Sequence, residues 1–283
     1  MGWYLVSMDE FAPKNELVEV LRWPINIQIT EARGAAFAAG HLFIADFGNP
    51  ASDGGLISVD LASGDASRVT AKSSGAPVML RRPADVKIGP DGAISVLNND
   101  PSANGVVRLA PDGTVLSVLP LPGKTLASSG LAFAPDGTIY ISDFAAGNIQ
   151  HYAPNGARLP LQSSAGGLNN PGAVWLDEQG RFYAPISGER RFFQYTAGGG
   201  RPQAFALKCD PYYAADNGRW LDVACAQKAM VSIDVESGRV ARSRIIGQEP
   251  RPGWVRGIAY DPNGILYLVD NERLIGYRIT HPW

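Results

Sequence analysis

Short apolar runs separated by polar turns recur along the whole chain, and the clearest copy spans residues 130–143. In this copy the apolar residues 131–133 are followed by a Pro-Asp-Gly turn at 135–137 and by the alternating Ile-Tyr-Ile-Ser run at 139–142. An Asp-Gly or Asn-Gly step supplies the positive φ angles that a tight turn between twisted strands requires. The pattern therefore predicts a β-hairpin.

The hairpin pattern occurs six times. Residues 88–94 and 260–270 are close copies, and residues 37–46, 176–183 and 214–221 are weaker ones. A repeat of a few tens of residues is typical of propellers and solenoids. Two further β-rich stretches follow each hairpin, which gives the four strands of a propeller blade. The sequence therefore predicts an all-β, six-bladed β-propeller with four antiparallel strands in each blade. The turn glycines are Gly40, Gly92, Gly137, Gly180, Gly218 and Gly264.

The last repeat has room for only three strands before the chain ends. Residues 16–21 form an unassigned strand-like stretch before the first repeat, so we expect an N-terminal strand to complete the last blade and close the ring. This organisation predicts a single domain over residues 1–283, with residues 1–32 as the closure segment. The blades are expected to begin near residues 33, 82, 128, 170, 210 and 254.

Composition excludes several classes of partner. Only 18% of the residues are charged and the formal net charge is -2, so the chain lacks the basic footprint of a nucleic-acid-binding protein. No apolar stretch approaches the roughly 20 residues of a membrane span, and the N-terminus lacks the pattern of a signal peptide. We expect a monomeric, cytoplasmic protein whose partner is a small molecule, with a secreted, processed protein as the alternative.

The two cysteines, Cys209 and Cys225, are placed symmetrically about residue 217 in the predicted hairpin of the fifth repeat. Cross-strand partners have Cβ atoms roughly 4.5 to 5.5 Å apart, a spacing that permits a disulfide after a small adjustment. The alternative is a pair of buried free thiols, which suits a cytoplasmic protein. The sequence leaves both possibilities open.

The Pro-Asp-Gly-x-Ile-Tyr-Ile-x-Asp pattern of residues 135–143, followed by Gly-Asn-Ile-Gln at 147–150, resembles the NHL-repeat propellers. It also resembles their relatives, the regucalcin and gluconolactonase family and the strictosidine synthase-like proteins. The resemblance covers residues 33–280 and implies the same six-bladed fold. Because this fold carries many unrelated functions, it does not by itself imply an activity.

Lactonases of the regucalcin type hold a divalent cation on the channel axis, with Glu, Asn, Asn and Asp ligands at the start of four innermost strands. The matching positions here are Arg33, Ala84, Ser129 and Gly172. None carries a carboxylate or an amide, and a guanidinium would repel a cation. The comparison therefore predicts no metal ligands and no cofactor, and it leaves a structural or axial Ca²⁺ or Mg²⁺ ion open.

The same position in the last two blades falls at Asp210 and Arg256, so Asp210, Arg256 and Arg33 come from three consecutive blades of the closed ring. Two guanidinium groups near an axial pocket suit a carboxylate, a phosphate or an enolate. We predict that Arg33 and Arg256 stabilise a developing oxyanion, with Asp210 as acid or base and Ser129 as a substrate contact. Resemblance to strictosidine synthase-like enzymes implies a channel carboxylate, which Asp210 or Glu189 would supply.

A second set of polar residues ends the second strand of four consecutive blades, and it faces the same mouth because the first two strands are antiparallel. In the alternative interpretation these residues accept backbone hydrogen bonds in the following turn, and Arg33 and Arg256 form cross-strand ion pairs with two of them. Three aromatic residues form a candidate apolar wall, although packing between blades would also explain them. The polar set is Asp46, Asn98, Asp143 and Asp270, and the aromatic set is Tyr212, Tyr213 and Trp254.

Three functions remain open. The favoured one is a metal-independent enzyme of lyase, cyclase or hydrolase type that acts at the channel mouth on a substrate with an anionic or carbonyl group. The second is a propeller that binds a ligand or a protein without catalysis. The third is a metal-dependent lactonase or hydrolase of the regucalcin type with rearranged ligands.

Overall fold

The structure is a computed structural model that describes residues 16–100, 104–121, 130–143, 147–160, 171–177, 180–186, 190–195, 202–207, 209–225, 229–244, 255 and 257–282. Within these ranges the chain forms strands connected by turns. In chain order the strands are β1 (Glu16–Pro24), β2 (Ala32–Ala38), β3 (His41–Asp46), β4 (Gly55–Asp60), β5 (Ala66–Arg68), β6 (Asp85–Ile88), β7 (Ile94–Asn98), β8 (Gly105–Leu109), β9 (Val115–Pro120), β10 (Leu131–Phe133), β11 (Ile139–Asp143), β12 (Asn148–Tyr152), β13 (Arg158–Leu159), β14 (Trp175–Leu176), β15 (Phe182–Ile186), β16 (Arg191–Tyr195), β17 (Gln203–Ala206), β18 (Pro211–Asp216), β19 (Trp220–Cys225), β20 (Ala229–Asp234), β21 (Val240–Arg244), β22 (Gly257–Tyr260), β23 (Ile265–Val269) and β24 (Arg273–Thr280).

The strands form six four-stranded antiparallel sheets, which confirms the predicted propeller. Blades 1 to 5 are β2–β5, β6–β9, β10–β13, β14–β17 and β18–β21, each in sequence order. Blade 6 has the order β1-β24-β23-β22, so the N-terminal strand closes the ring as its outermost strand. The first strand of each blade is innermost, and these strands contact one another around the channel, as β2 does with β6 and β22.

All six predicted turn glycines have positive φ, from 72° at Gly180 to 91° at Gly218. Around five of them a side chain would meet no atom within 4 Å, so space does not explain the choice of glycine. The backbone conformation does, because residues with a Cβ rarely adopt it. The glycine that recurs in each repeat is therefore required by the backbone conformation of the turn.

The core consists of apolar layers between neighbouring blades. Successive side chains of a strand point to opposite faces, so Leu42 and Ile44 of β3 pack against blade 6, whereas Phe43 and Ala45 pack against blade 2. Both faces of each blade are thus buried, which explains why these strands are continuous apolar runs. No helix among the described residues is long and apolar enough to cross a membrane.

A buried polar cluster lies between blade 5 and blade 6, the blade that contains the N-terminal strand. Asp222 of β19 is fully buried and accepts hydrogen bonds from the hydroxyls of Ser232 and Tyr260. His281, just after β24, places Nε2 3.3 Å from Asp222 Oδ1 and stacks on Trp220 at 4.1 Å between ring centroids. This carboxylate therefore joins two blades and the end of the last strand. We call Asp222, Ser232, Tyr260 and His281 the closure cluster.

Burial, followed by the charge of Asp222, raises the pKa of Tyr260 well above the usual value for tyrosine. The unfolded chain loses this proton near pH 10, whereas the folded chain keeps it, so stability is fully present below about pH 10 and falls as the pH rises further. We expect Tyr260→Phe to make this alkaline loss shallower by up to about 1.4 kcal/mol per pH unit. Urea unfolding between pH 8 and 11 measures it, and an unchanged slope would contradict the assignment.

A disulfide joins Cys209 to Cys225, whose Cα atoms are 5.8 Å apart. The predicted register is wrong, because Pro211 rather than Cys209 lies opposite Cys225, and Tyr213 lies opposite Ala224. The hairpin is centred between residues 218 and 219 instead of at 217, because Asp216 lies opposite Leu221, and the bulge between Pro211 and Tyr213 reduces this offset by only one residue. Cys209 reaches its partner from the segment before β18. The bond therefore ties the start of the innermost strand of blade 5 to the end of its second strand.

Candidate functional site

The innermost strands of the blades begin at one end of the channel, which we call the upper mouth. Ala32 at the start of β2 lies opposite Asp46 at the end of β3, and Gly257 at the start of β22 lies opposite Val269 at the end of β23. The opposite end, which carries the first turn of each blade, is called the lower face. Both predicted sets of residues therefore belong to the upper mouth wherever they are described.

Asp46 is fully buried, and protein donors occupy its carboxylate. Oδ1 accepts hydrogen bonds from the backbone N–H groups of Thr30, Glu31 and Gly48 at 3.0, 2.9 and 3.2 Å. Arg68 Nη2 lies 3.3 Å from Oδ2. These bonds hold the segment before β2 against the loop after β3. Asp46 therefore stabilises two of the segments that form the upper mouth.

The rest of the predicted arc is also bonded to its surroundings. Of these residues only Asp270 accepts backbone bonds from the following turn, as the alternative interpretation expects, whereas Asn98 bonds the segment before β6 and Asp143 bonds a side chain of β12. The bonds run from Arg81 N–H to Asn98 Oδ1 at 2.9 Å, from Asn98 Nδ2 to Met79 O at 2.9 Å, from Gln150 Nε2 to Asp143 Oδ2 at 2.7 Å, and from the N–H groups of Glu272 and Arg273 to Asp270 Oδ1 at 2.8 and 2.7 Å.

Arg33 occupies the mouth in a different way from the predicted one. A bulge in β2 places it opposite Ala45, so the predicted cross-strand pairing with Asp46 is wrong. Its guanidinium donates from Nε and Nη2 to Glu31 Oε1 at 3.2 and 2.9 Å and lies 3.7 Å from the centroid of the Phe47 ring. Nη1 is buried and has no hydrogen-bond partner among the described residues. Within the described part of the chain, Nη1 is therefore a buried donor whose hydrogen-bonding capacity is unsatisfied.

Arg82 brings a second guanidinium to the same ring, with its central carbon 4.7 Å from the Phe47 centroid. Its side chain is exposed, and no described residue forms an ion pair with it. The backbone is fixed by a 2.7 Å bond from Arg82 N–H to Asp53 O and a 2.9 Å bond from Asn99 Nδ2 to Arg82 O. We call Arg33, Arg82 and Phe47 the arginine clamp.

Arg82 has a φ of 48°, in the left-handed region that a residue with a side chain adopts at a cost of about 1–2 kcal/mol. Glycine adopts this conformation freely. We therefore expect Arg82→Gly to change the free energy of unfolding by less than about 1 kcal/mol, because relief of strain offsets the lost ring contact. Arg82→Val should cost about 1–2 kcal/mol more than Arg82→Gly, since a β-branched residue tolerates this region poorly. Urea unfolding of both variants measures the difference between their free energies of unfolding. Equal values would show that the backbone strain at Arg82 is absent.

An ion pair lies deeper in the channel on β6. Asp85 is 2% exposed, and its Oδ1 accepts from Lys87 Nζ at 3.1 Å and from Val86 N–H at 2.8 Å, while Oδ2 accepts from Leu131 N–H of blade 3 at 2.9 Å. A Cβ on Gly34 of blade 1 would lie 2.0 Å from Asp85 Oδ1, so only glycine admits the carboxylate there. The Lys87 ammonium is half-buried beside it. The sequence reasoning missed this pair.

The opposite side of the mouth belongs to blade 5. Asp210 is partly exposed and forms an ion pair with Arg190, whose Nε lies 3.6 Å from Asp210 Oδ1. Tyr213 packs into the apolar layers on both sides of blade 5, which fits the core-packing alternative. Tyr212 is partly buried at the bulge of β18. Arg256, Ser129, Trp254 and Glu189 lie outside the described residues.

No known protein family and no curated protein matches the sequence. The fold, by contrast, matches many solved structures at low sequence identity. One is a catalytically inactive variant of virginiamycin B lyase from Staphylococcus aureus with quinupristin (14% identity, TM-score 0.64, 94% of this chain and 100% of that chain). Another is a gluconolactonase from Xanthomonas campestris (15% identity, TM-score 0.67, 92% and 99%).

A third similar structure is that of a nidogen/laminin complex (16% identity, TM-score 0.64, 82% and 85%). The similar structures thus include enzymes and a protein–protein complex. At identities this low, the similarity shows only that the chain shares the six-bladed propeller fold. Any activity of this chain has to be inferred from its own residues.

Proposed function

We propose that the upper mouth over blades 1 and 2 binds a small molecule through a carboxylate, phosphate, enolate or polarised carbonyl group. We further propose that the protein converts this molecule as a metal-independent lyase, cyclase or hydrolase. The observation that carries the proposal is the arginine clamp, in which Arg33 Nη1 is buried without a partner among the described residues. A buried N–H without an acceptor costs about 1–3 kcal/mol, so a ligand oxygen at this position recovers that energy.

The clamp also fits the electrostatic needs of such a reaction. Glu31 and the Phe47 ring hold the Arg33 guanidinium in place before a ligand arrives. Preorganised donors stabilise an oxyanion that develops in a transition state more than the neutral ground state. Arg82, exposed on the same ring, would add a second cation at the outer edge of the ligand.

Proton transfer needs a group within reach of the bound molecule. Lys87 is the candidate donor on the channel side, because Asp85 holds its ammonium there at 3.1 Å. Asp210 remains the proposed acid or base on the opposite side of the mouth, with Arg256 as a further oxyanion contact. Ser129 and Trp254 remain proposed contacts of the substrate.

The proposal of a metal-independent reaction rests on residue chemistry. Two of the positions that correspond to metal ligands in regucalcin-type lactonases are Arg33 and Ala84, and neither supplies an oxygen ligand. Asp85 follows Ala84 directly, but Lys87 neutralises its charge. Among the described residues no three His, Cys, Asp or Glu side chains converge on a common point.

Two of the similar structures correspond to the two alternative functions. The gluconolactonase supports a lactonase with rearranged ligands, and the nidogen/laminin complex supports a propeller that binds without catalysis. The clamp favours a ligand with an anionic group in each case. What separates the three functions is conversion of the ligand and its dependence on a metal.

The test incubates the protein, with and without prior treatment with EDTA, with a small-molecule extract and identifies by mass spectrometry the compounds that it retains and converts. We expect retention of an acidic or carbonyl compound and its conversion at an EDTA-insensitive rate. Retention without conversion would favour the binding alternative, and conversion that EDTA abolishes would favour the lactonase alternative. If no such compound is retained, the proposal is wrong.

A further inference from the structure

A cleft opens on the lower face, at the other end of the channel from the arginine clamp. It has a volume of about 360 Å³ and lies between the first turns of blades 2 and 3. A volume in this range suffices for a small organic ligand. Its lining residues are Pro90, Asp91, Arg108, Phe133, Pro135, Asp136, Gly137, Ile139 and Pro154.

The walls of this cleft are apolar and stiff. Three proline rings come from three different turns, and Phe133 and Ile139 add an aromatic and a branched side chain from β10 and β11. These prolines lose little conformational freedom when a ligand binds, because the ring already fixes their φ angle. Such walls suit the apolar body of a ligand, in particular a flat ring.

Among the described residues, the charges at the rim leave one carboxylate, that of Asp136, without an arginine or lysine partner, and His151 has only a weaker charge interaction with it. Arg108 Nη2 is paired with Asp91 Oδ2, so these two groups neutralise each other. Asp136 Oδ1 accepts bonds from the N–H and the hydroxyl of Thr138 at 2.9 and 2.7 Å, whereas Oδ2 accepts none from any other described residue. The Thr138 bonds lower the pKa of Asp136, so the carboxyl is ionised at neutral pH.

We propose that this lower-face cleft is a second binding site, and that its ligand is a small organic cation with a primary ammonium group on an aromatic body. The ring lies against the prolines and Phe133, and the ammonium donates to Asp136 Oδ2. The site has the opposite charge preference from the upper mouth, so the proposal does not depend on the proposed function.

Three probes test separately the contributions of the aromatic ring and of the ammonium group: benzylamine, benzyl alcohol and methylamine. We expect benzylamine to bind several times more tightly than the other two in ligand-observed NMR titrations at pH 7. Benzyl alcohol lacks the cation, and methylamine lacks the ring. Equal binding of benzylamine and benzyl alcohol, or no saturable binding of benzylamine, would overturn the proposal.

The chain offers a matched control for the charge. Asp112 lies in a second exposed Pro-Asp-Gly-Thr turn, where it accepts bonds from the N–H and the hydroxyl of Thr114 at 2.9 Å each, but it does not line the cleft. We expect Asp136→Asn to weaken benzylamine binding about fivefold and Asp112→Asn to leave it unchanged. Equal effects of the two substitutions would overturn the assignment to Asp136, and the comparison of probes on the unmodified protein stands whether or not either variant folds.

Discussion

We expect Arg33→Met to lower the rate of the proposed conversion at the upper mouth about 100-fold, and the Arg33→Met/Arg82→Met double variant to lower it further. The reason is the position of the guanidinium, which the Phe47 ring contacts at 3.7 Å and Glu31 anchors at 2.9 Å. Methionine keeps most of the apolar stem that packs on the ring, so the change removes the donors while preserving the packing. The measurement is the rate at which EDTA-treated protein consumes the compound that it retains.

Arg278→Met is the matched control, because Arg278 is exposed on β24, in the outer half of blade 6. It should convert the same compound at the unmodified rate. Circular dichroism and urea unfolding establish that the clamp variants are folded. Full activity in a folded double variant would show that the arginine clamp does not contribute to the conversion.

Replacing Asp222 by Ala should lower the free energy of unfolding by about 3–5 kcal/mol. The carboxylate is fully buried and accepts from the Ser232 and Tyr260 hydroxyls, with His281 Nε2 at 3.3 Å. Without it each of these donors loses a buried acceptor, at a cost of about 1–3 kcal/mol for a donor that is left unsatisfied, and the interface between blades 5 and 6 loses its polar link. Urea unfolding of both proteins gives the difference.

Asp65→Ala provides the comparison for this variant, since Asp65 is an exposed turn residue of blade 1. Its free energy of unfolding should stay within about 0.5 kcal/mol of the unmodified value. A loss below about 1 kcal/mol for Asp222→Ala would show that water replaces the carboxylate, and that other contacts hold blades 5 and 6 together.

The fold could be predicted because its signals are local and repeated. Each turn glycine is required by a positive φ at its own position, as at Gly137 with 84°. The missing fourth strand of the last blade and the strand-like residues 16–21 together indicated the closure, which β1 and β24 confirm. Periodicity in sequence translates directly into periodicity in space, so no long-range information was needed.

The site could be predicted only in part, because small irregularities decide which side chains meet. A one-residue bulge in β2 moves Arg33 from Asp46 to Ala45. Arg82 lies two residues before the position that the repeat aligns, in a left-handed conformation that the sequence pattern does not reveal. Such departures from the repeat arise from tertiary contacts, which single-sequence patterns do not contain.

One signal for the closure cluster was visible in the sequence. Asp222 is a charged residue inside the otherwise apolar run Trp220–Cys225, next to Leu221, which aligns with Tyr140, Tyr183 and Tyr267 when the repeats are superposed on their turn glycines. A charged residue at a buried repeat position indicates a special partner. Its partners Tyr260 and His281 come from another blade and from beyond the last strand, so only the structure could identify them.

The central claim, that the arginine clamp recognises an anionic group, is tested most directly by the side-chain Nε–H NMR signals of arginine during a titration with malonate. Arg33→Lys and Arg82→Lys variants assign the two signals. We predict that both shift together and saturate with malonate, and that neutral malonamide leaves them in place. If malonate shifts other arginine signals while those of Arg33 and Arg82 stay unchanged, the clamp is not the anion site.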